Sequence, residues 1–220
     1  MKKFSWFDTA AVVVWFIPII YLITIYPGLP AKVALHFDLH GMPDNYGTPS
    51  SLIGVQFLLS GVSLGIYLLL KYLPNIDPKK KVNYSAGMFK KMALGLVVFI
   101  SVINLICLFA SWKGHLEAGK LILPAIGLFF AFMGNVMHSI KPNYFAGIRT
   151  PWTLESEDTW RATHQLAGKM WFIGGLLIAL LTLLLNGNMA HIFFMTAVGV
   201  LVIIPMIYSY IYFKKHQLKS

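Results

Sequence analysis

Three polar side chains after the first apolar segment have the spacing of a metal site. His36, Asp38 and His40 alternate within LPAKVALHFDLHGMPDNYG, and on a β-strand they would share one face. Imidazole and carboxylate groups are common zinc ligands, but a structural zinc site usually has four ligands. The neighbouring sequence offers no Cys and no evident fourth ligand. We therefore predict that these residues form hydrogen bonds that fold the loop, and that the protein binds no metal or other cofactor.

A hydrolase-like pattern occurs in the second apolar segment. GVSLG at 61–65 matches G-x-S-x-G, in which the serine of serine hydrolases is the nucleophile. The same residues also read G-x-x-x-G, and small residues four apart let membrane helices pack closely. This second interpretation needs no partner histidine at matching depth, and the metalloprotease pattern H-E-x-x-H is absent from the chain. We therefore expect Ser63 to be non-catalytic and the protein not to be an enzyme.

The richest polar stretch is SIKPNYFAGIRTPWTLESEDTWRATHQLAG, residues 139–168. Gly147 permits a turn with positive φ, and Thr150-Pro151 sets an extended corner. Between these turns, Arg149 presents a planar fork of donors suited to a carboxylate or phosphate. We predict that Arg149 bridges helix-end carbonyls of the fourth span or a carboxylate in the acidic cluster at 155–158.

The ends of this stretch carry helix boundary signals. Asn143 follows Lys141-Pro142, and a proline at this place ends the preceding helix. Ser156 is a candidate N-cap for a new helix whose first turn is rich in acids. In that helix, Glu157 and Arg161 are four residues apart and can pair. A shared helical face predicts an interfacial helix that runs into the fifth span; its residues are Trp160, His164, Ala167 and Trp171.

A simpler interpretation of this stretch is a membrane anchor. Aromatic side chains are enriched at the level of the lipid headgroups, and an arginine there can contact a phosphate. The aromatic residues that would form the anchor are Tyr144, Phe145, Trp152 and Trp160. The sequence leaves this alternative open.

The elements that must position these residues are membrane helices. The chain has 57% apolar residues, 12% charged residues and a mean hydropathy of +0.69, which leaves too little polar surface for a soluble domain. No acidic residue lies in the middle of a span, which disfavours an ion-coupled pump. The predicted fold is an all-α, polytopic bundle of six transmembrane helices near 9–26, 51–72, 92–112, 121–138, 169–186 and 191–212.

Basic residues predict how this bundle is oriented. With the N terminus inside, every Lys and Arg except Lys32, Lys113 and Lys120 falls on the cytoplasmic side. Both termini and the 139–168 stretch are then cytoplasmic, whereas the loop at 27–50 is external. The net charge of +10 is explained by this topology and by attraction to anionic inner-leaflet lipid. We therefore expect an anionic lipid partner and no nucleic acid.

Two parts of the sequence resemble known family patterns. The run KPNYFAGIRTPWTLESEDTWRATHQLAGKMWFIGG, with Gly134 and Asn135 before it, resembles the signature of SdpI-type immunity proteins. LPAKVALHFDLHGMPDNYG resembles the short module that accompanies it, domain of unknown function 1648, with His36, Gly41 and Asp44 at the matching positions. The resemblance implies a DUF1648-like module at 1–73, a basic cytoplasmic loop at 74–91 and an SdpI-like four-helix region at 92–220.

The resemblance also implies a function. SdpI-type proteins are bacterial membrane proteins that protect a producer from its own secreted peptide toxin. We therefore expect a multi-pass protein of the bacterial cytoplasmic membrane that intercepts such a peptide, with a cytosolic transcriptional repressor as a further partner. The expected functional residues are His36, Asp38, Gly41, Asp44, Asn135, Asn143, Gly147, Arg149, Thr150, Pro151, Trp152, Trp160 and His164. The alternatives are a small-molecule or lipid transporter and a non-catalytic assembly factor.

Overall fold

The computed structural model describes residues 5–38, 41–76, 86–113 and 119–217. Among these residues, six helices are long and apolar enough to cross a membrane. The predicted all-α polytopic bundle is therefore confirmed. In chain order the elements are α1 (Trp6–Ile25), a 3-10 turn (Tyr26–Gly28), β1 (Val33–Phe37), β2 (Pro43–Gly47), α2 (Pro49–Ile76), α3 (Ala86–Lys113), α4 (Gly119–Met137), α5 (Pro151–Glu155), α6 (Glu157–Leu184) and α7 (Gly187–Gln217).

The bundle has two distinct ends. At the end that we call the terminal end, α1 begins and α7 finishes, and the chain between α4 and α6 covers part of it. At the opposite end, which we call the hairpin end, β1 and β2 pair as an antiparallel hairpin. Asp8 near the start of α1 forms an ion pair of 2.6 Å with Lys71 in the last part of α2, which fixes the relative direction of these two helices.

Helices α4 and α6 pack with their backbones in contact. A Cβ atom added at Gly127 would lie 2.7 Å from the carbonyl oxygen of Gly175, and one added at Gly168 would lie 3.0 Å from that of Gly134. Only glycine fits such a crossing, because any side chain would force the helices apart. This pairing fixes α6, and the loop before it, against the terminal end of α4.

The G-x-x-x-G pattern in α2 has no such role within the described chain. A Cβ atom at Gly61 or Gly65 would meet no atom within 4 Å, so the expectation that these glycines pack against a neighbouring helix is wrong for this fold. Ser63 is 2% exposed and its hydroxyl has no hydrogen-bond partner in the described residues. A serine nucleophile needs a base within hydrogen-bond reach, so the geometry gives no support to a hydrolase.

The hairpin consists of two short strands. The strand considered for His36 is present as β1, and the segment Pro43–Gly47 pairs with it as the second strand. The chain reverses between them at Gly41, whose φ of 74° favours glycine. Ser111 of α3 donates a hydrogen bond of 2.7 Å to the carbonyl of Ala34, and this contact holds β1 against the bundle.

Candidate functional site

Asn143 organises the start of the α4–α6 loop, residues 138–156. It is 3% exposed, and its amide nitrogen donates to the carbonyl oxygens of Lys141 (2.8 Å) and Ala146 (3.2 Å). Its amide oxygen accepts hydrogen bonds from the N–H groups of Phe145 and Ala146, both 2.8 Å. The side chain thus satisfies backbone groups of the loop, which has no regular secondary structure here to pair them.

The centre of the site is a stacked pair of buried rings on the first turns of α6. Trp160 and His164 are each 1% exposed and lie 4.1 Å apart between ring centroids. Trp160 Nε1 donates to the carbonyl of Ile140 at 2.7 Å. Both residues lie in α6, which starts at Glu157. Because they are four positions apart in a helix, their rings lie on one helical face, as predicted.

The hydrogen bonds of His164 identify its neutral form. The N–H of Ile148 donates to Nε2 at 3.0 Å, so this nitrogen carries a lone pair. Nδ1 lies 2.8 Å from the carbonyl oxygen of Trp160 and therefore carries the proton that it donates. The imidazole thus connects α6 to the loop through both of its nitrogens and is not free to bind a metal.

Gly147 brings the loop close to this ring pair. Its φ is 112°, a backbone conformation that residues with a side chain rarely adopt. A Cβ atom there would collide with Nε2 of His164 and would lie 3.2 Å from Cζ2 of Trp160. The predicted positive φ is confirmed, and the structure adds that the position also has no room for a methyl group.

Thr150 and Thr153 form a second hydrogen-bonded unit, which sequence reasoning missed in part. Thr150 is the N-cap of α5, and it and Thr153 exchange backbone-to-hydroxyl hydrogen bonds of 2.9 and 3.2 Å. The expected extended corner at Thr150-Pro151 is therefore wrong after Thr150: Pro151 begins a one-turn helix, a position that suits proline. The T-x-x-T spacing of a capping box could have revealed it. Thr150 Oγ1 also lies 3.2 Å from Oγ of Ser209 in α7.

Arg149 has a different partner from the one predicted. Its side chain is exposed, and its guanidinium donates to the carbonyl oxygen of Tyr144 in the same loop. Within the described residues, Arg149 forms no ion pair with the acids at 155–158. Arg149 lies beside a small cavity of about 180 Å³, which Trp171 and Leu201 also line. Its fork faces loop backbone and solvent.

The start of α6 is as predicted except for one ion pair. Ser156 Oγ accepts a hydrogen bond of 3.2 Å from the N–H of Thr159, which confirms the predicted N-cap. Glu157 and Arg161, both described, form no ion pair despite their spacing. Each remains exposed to solvent, where such a pair would contribute little to stability.

Two of the predicted anchor aromatics pack within the protein. Trp160 is buried, and Trp152 is half-buried with its ring 5.0 Å from that of Tyr210 in α7. Tyr144 and Phe145 are 43% and 39% exposed, so the anchor interpretation retains these two. The tryptophans instead hold the loop against α6 and α7.

The residues predicted at the hairpin end also form hydrogen bonds. His36 Nδ1 and the Asp44 carboxylate lie 2.6 Å apart and join β1 to β2. Asp38 accepts from the N–H of Met42 at 2.9 Å. Asp38 does not lie on the strand that carries His36, because β1 ends at Phe37; His40 lies outside the described residues.

Comparison with known proteins connects these two regions to a family. Residues 139–209 match the SdpI/YfhL protein family, and residues 13–59 match a domain of unknown function, DUF1648. In these two regions the chain is similar to SdpI-family proteins. It is 24% identical over 193 residues to immunity protein SdpI of Bacillus subtilis (strain 168), which covers 88% of this chain and 89% of that protein. No solved structure gives a significant match.

The SdpI-family match contains the whole hydrogen-bonded loop. Asn143, Gly147, Thr150, Trp160 and His164 all lie within residues 139–209, and the structure brings them together. Asn135 lies outside that region; it is exposed on α4 and lines a groove toward α3. The predicted site is therefore two separate places, the loop and the hairpin, with Asn135 in neither.

Sequence reasoning missed one buried polar cluster entirely. Asp8 is 5% exposed; it accepts from the hydroxyl of Tyr67, pairs with Lys71 at 2.6 Å and accepts from the N–H of Ser5 at 2.7 Å. Asp8 caps the start of α1, so the sequence shows an ordinary N-terminal acid. Nothing local in the sequence indicates that two side chains of α2 converge on it.

Proposed function

We propose that this chain is a membrane immunity protein, which protects the cell carrying it from a secreted antimicrobial peptide. The observation that carries the proposal is the similarity to immunity protein SdpI, which extends over 88% of the chain and thus well beyond either family match. Protection by binding needs no chemistry on the peptide, so we propose that the protein is not an enzyme.

The proposed orientation places the hairpin outside the cell and the termini in the cytoplasm. The basic residues favour it, since they concentrate at the terminal end. The protein then lies in the cytoplasmic membrane, and the hairpin is the first part that a secreted peptide meets.

The hairpin offers suitable groups for an amphipathic or cationic peptide. Met42 and Tyr46 are 51% and 47% exposed, and the carboxylate of Asp44 lies beside His36 on the same two-stranded unit. Exposed apolar side chains can contact the apolar face of a peptide, while the carboxylate can attract its cations. Lys32 covers the Tyr46 ring at 4.8 Å from its centroid and would have to move for a cationic peptide to stack there.

We further propose that the α4–α6 loop serves the cytoplasmic side of this role. Its buried rings and threonines connect α4, α6 and α7, so a change in the packing of these helices would alter the exposed surface around Arg149. A cytosolic transcriptional repressor could sense that surface. Anionic inner-leaflet lipid is the second proposed partner at this end.

The test is survival of a sensitive cell. The chain is produced in a Bacillus subtilis strain that lacks its own immunity protein SdpI, and the cells are challenged with the secreted peptide to which this deletion makes them sensitive. We expect survival above the empty-vector control. Killing equal to that control, at confirmed membrane abundance, would contradict protection against that peptide. The chain's own host is then tested in the same way: its gene for this protein is deleted, and the cells are challenged with the peptides that the host secretes. Equal killing with and without the protein in that host would contradict the immunity role.

Matched tyrosine variants test the contribution of the hairpin. Tyr46 and Tyr72 have the same exposed fraction, 47%, but Tyr72 lies at the terminal end of α2. We expect Tyr46→Ala to lose protection and Tyr72→Ala to retain it. Equal protection by both variants would exclude the hairpin as the contact surface.

One observation favours a second candidate, transport of a small polar molecule. Polar side chains are buried on α2 and α3: Gln56, Ser60 and Ser63 on α2, and Ser101 and Asn104 on α3. The carbonyl oxygen of the Gln56 amide has no hydrogen-bond partner within the described chain. Polar groups inside a membrane protein often mark a solute path. Growth or uptake that depends on Gln56, with no effect on survival against peptides, would favour this candidate.

A further inference from the structure

A groove of about 880 Å³ separates α3 from α4. It opens at the terminal end, where the start of α1 contributes Trp6 and Phe7 to its wall, and it extends along α4 as far as Ala125. Its volume is within the range of sites that hold small organic ligands, roughly 300–1,000 Å³. It is separate from the hairpin, and of the α4–α6 loop only His138 and Ser139 line it.

The packing of α4 explains why the groove exists. The glycines of α4 face α6, so these two backbones touch, whereas aromatic rings separate α4 from α3. The Phe99 ring of α3 stacks on Phe129 of α4 with 4.3 Å between centroids, and Gly95 of α3 leaves room for the ring of Phe132. The rings form a wall, and the space beside them is not filled by any described side chain of the protein.

The lining changes from polar to apolar along the groove. At the terminal end it consists of Lys91, Asn135, His138 and Ser139, all exposed. Toward the hairpin end it consists of apolar residues such as Val102, Ala125 and Leu128. Lys91 forms no ion pair with a described residue, and the lining contains no acidic side chain. The polar end is therefore suited to an anion.

The length of the groove matches one leaflet of a bilayer. From Ala125 to Met137, where α4 ends, the helix rises about 18 Å at 1.5 Å per residue. Half of the hydrocarbon core measures about 15 Å, which leaves the last residues of α4, with His138 and Ser139, at headgroup level. Leu128 is 56% exposed and Val98 40%, so the apolar part of the groove is open to the membrane from the side.

We propose that this groove binds one anionic phospholipid of the adjacent leaflet. Its acyl chain lies along the phenylalanine wall, and its phosphate accepts hydrogen bonds from Lys91, Asn135 and Ser139. The inference makes specific the anionic-lipid partner of the proposed function, and it can be tested without any toxin. Apart from Ser139, the described lining of the groove lies outside both family matches.

Native mass spectrometry of the purified full-length chain tests the proposal. The protein is titrated with phosphatidylglycerol or with phosphatidylcholine of the same acyl chains. We expect one phosphatidylglycerol to be retained more tightly than phosphatidylcholine, and Lys91→Gln to weaken its binding about fivefold. Lys215→Gln removes a cation from the last turn of α7, outside the groove, and should leave the affinity unchanged.

A steric pair of variants tests the location. A Cβ atom at Gly87 or at Gly54 meets nothing within 4 Å, so phenylalanine should fold at both positions, but only Gly87 lines the groove. We expect Gly87→Phe to lose the retained lipid and Gly54→Phe to keep it. Equal retention by both variants would place the lipid elsewhere and refute the site.

Two further outcomes would overturn the chemistry proposed for the site. Equal affinity for the two lipids in the wild type, with no effect of Lys91→Gln, would show that the groove does not select an anionic headgroup. Displacement of the lipid by millimolar inorganic phosphate would show that the polar end binds a free anion and not a lipid. Survival assays do not enter these measurements, so failure of the immunity proposal would not affect them.

Discussion

Replacement of Gly147 by alanine should release the α4–α6 loop while the helices stay folded. Two independent effects act at this position. A φ of 112° is strained for any residue with a Cβ atom, and the added methyl group would collide with Nε2 of His164. The loop can relieve both only by moving away from α6, which breaks the hydrogen bond from the N–H of Ile148 to that nitrogen.

The two effects together give the expected magnitude. Backbone strain of this kind costs about 1–3 kcal/mol. Leaving a buried donor or acceptor without its partner costs about 1–3 kcal/mol more. A total of about 2–6 kcal/mol would raise the open population of the loop by a factor of at least roughly 30, since 1.4 kcal/mol is tenfold. The glycine contacts between α4 and α6 are unaffected, so the bundle should remain folded.

Limited trypsin digestion of the purified protein measures this opening. Arg149 is the basic residue nearest to Gly147, and the bond after it becomes a substrate once the loop leaves α6. We expect Gly147→Ala to be cut after Arg149 at least about tenfold faster than the wild type, with unchanged helical circular dichroism. The control is Gly54→Ala, where a Cβ atom meets nothing within 4 Å. Equal digestion rates for wild type and Gly147→Ala would refute the reasoning.

Three further predictions concern orientation, metal content and Arg149. With Cys107 replaced by alanine, an impermeant thiol reagent applied to intact cells should label a cysteine at Ser50 and spare one at Glu155; the reverse pattern would invert the topology. Purified protein should contain no stoichiometric zinc by elemental analysis, and one zinc per chain that is lost in His36→Ala would contradict this. Arg149→Lys should lose most protective activity at equal membrane abundance, because a lysine cannot reproduce the planar fork that reaches the Tyr144 carbonyl; full protection would leave only a charge or anchor role.

Local sequence patterns were sufficient to predict the helices and several of the positions at which they begin. Hydropathy predicted six spans because crossing a bilayer requires about 20 apolar residues in succession. The N-cap at Ser156, the positive φ of Gly147 and the continuous helix from Trp160 into the fifth span also follow from residues within one or two turns of each other. A sequence contains that information directly, because caps, turns and helical periodicity are short-range.

Only the tertiary structure decided which residues meet across the sequence. The hydrogen bond from Trp160 to the carbonyl of Ile140, the contact of His164 with the backbone of Ile148 and the convergence of Tyr67 and Lys71 on Asp8 depend on how whole helices pack. The same holds for the glycines of α4, which bring that helix against α6 and leave the groove beside α3. No local pattern distinguished them from Gly61 and Gly65, which meet nothing. Apolar residues in succession indicate that a segment is a membrane helix. Which helix packs against each of its faces depends on the combined packing of all six helices.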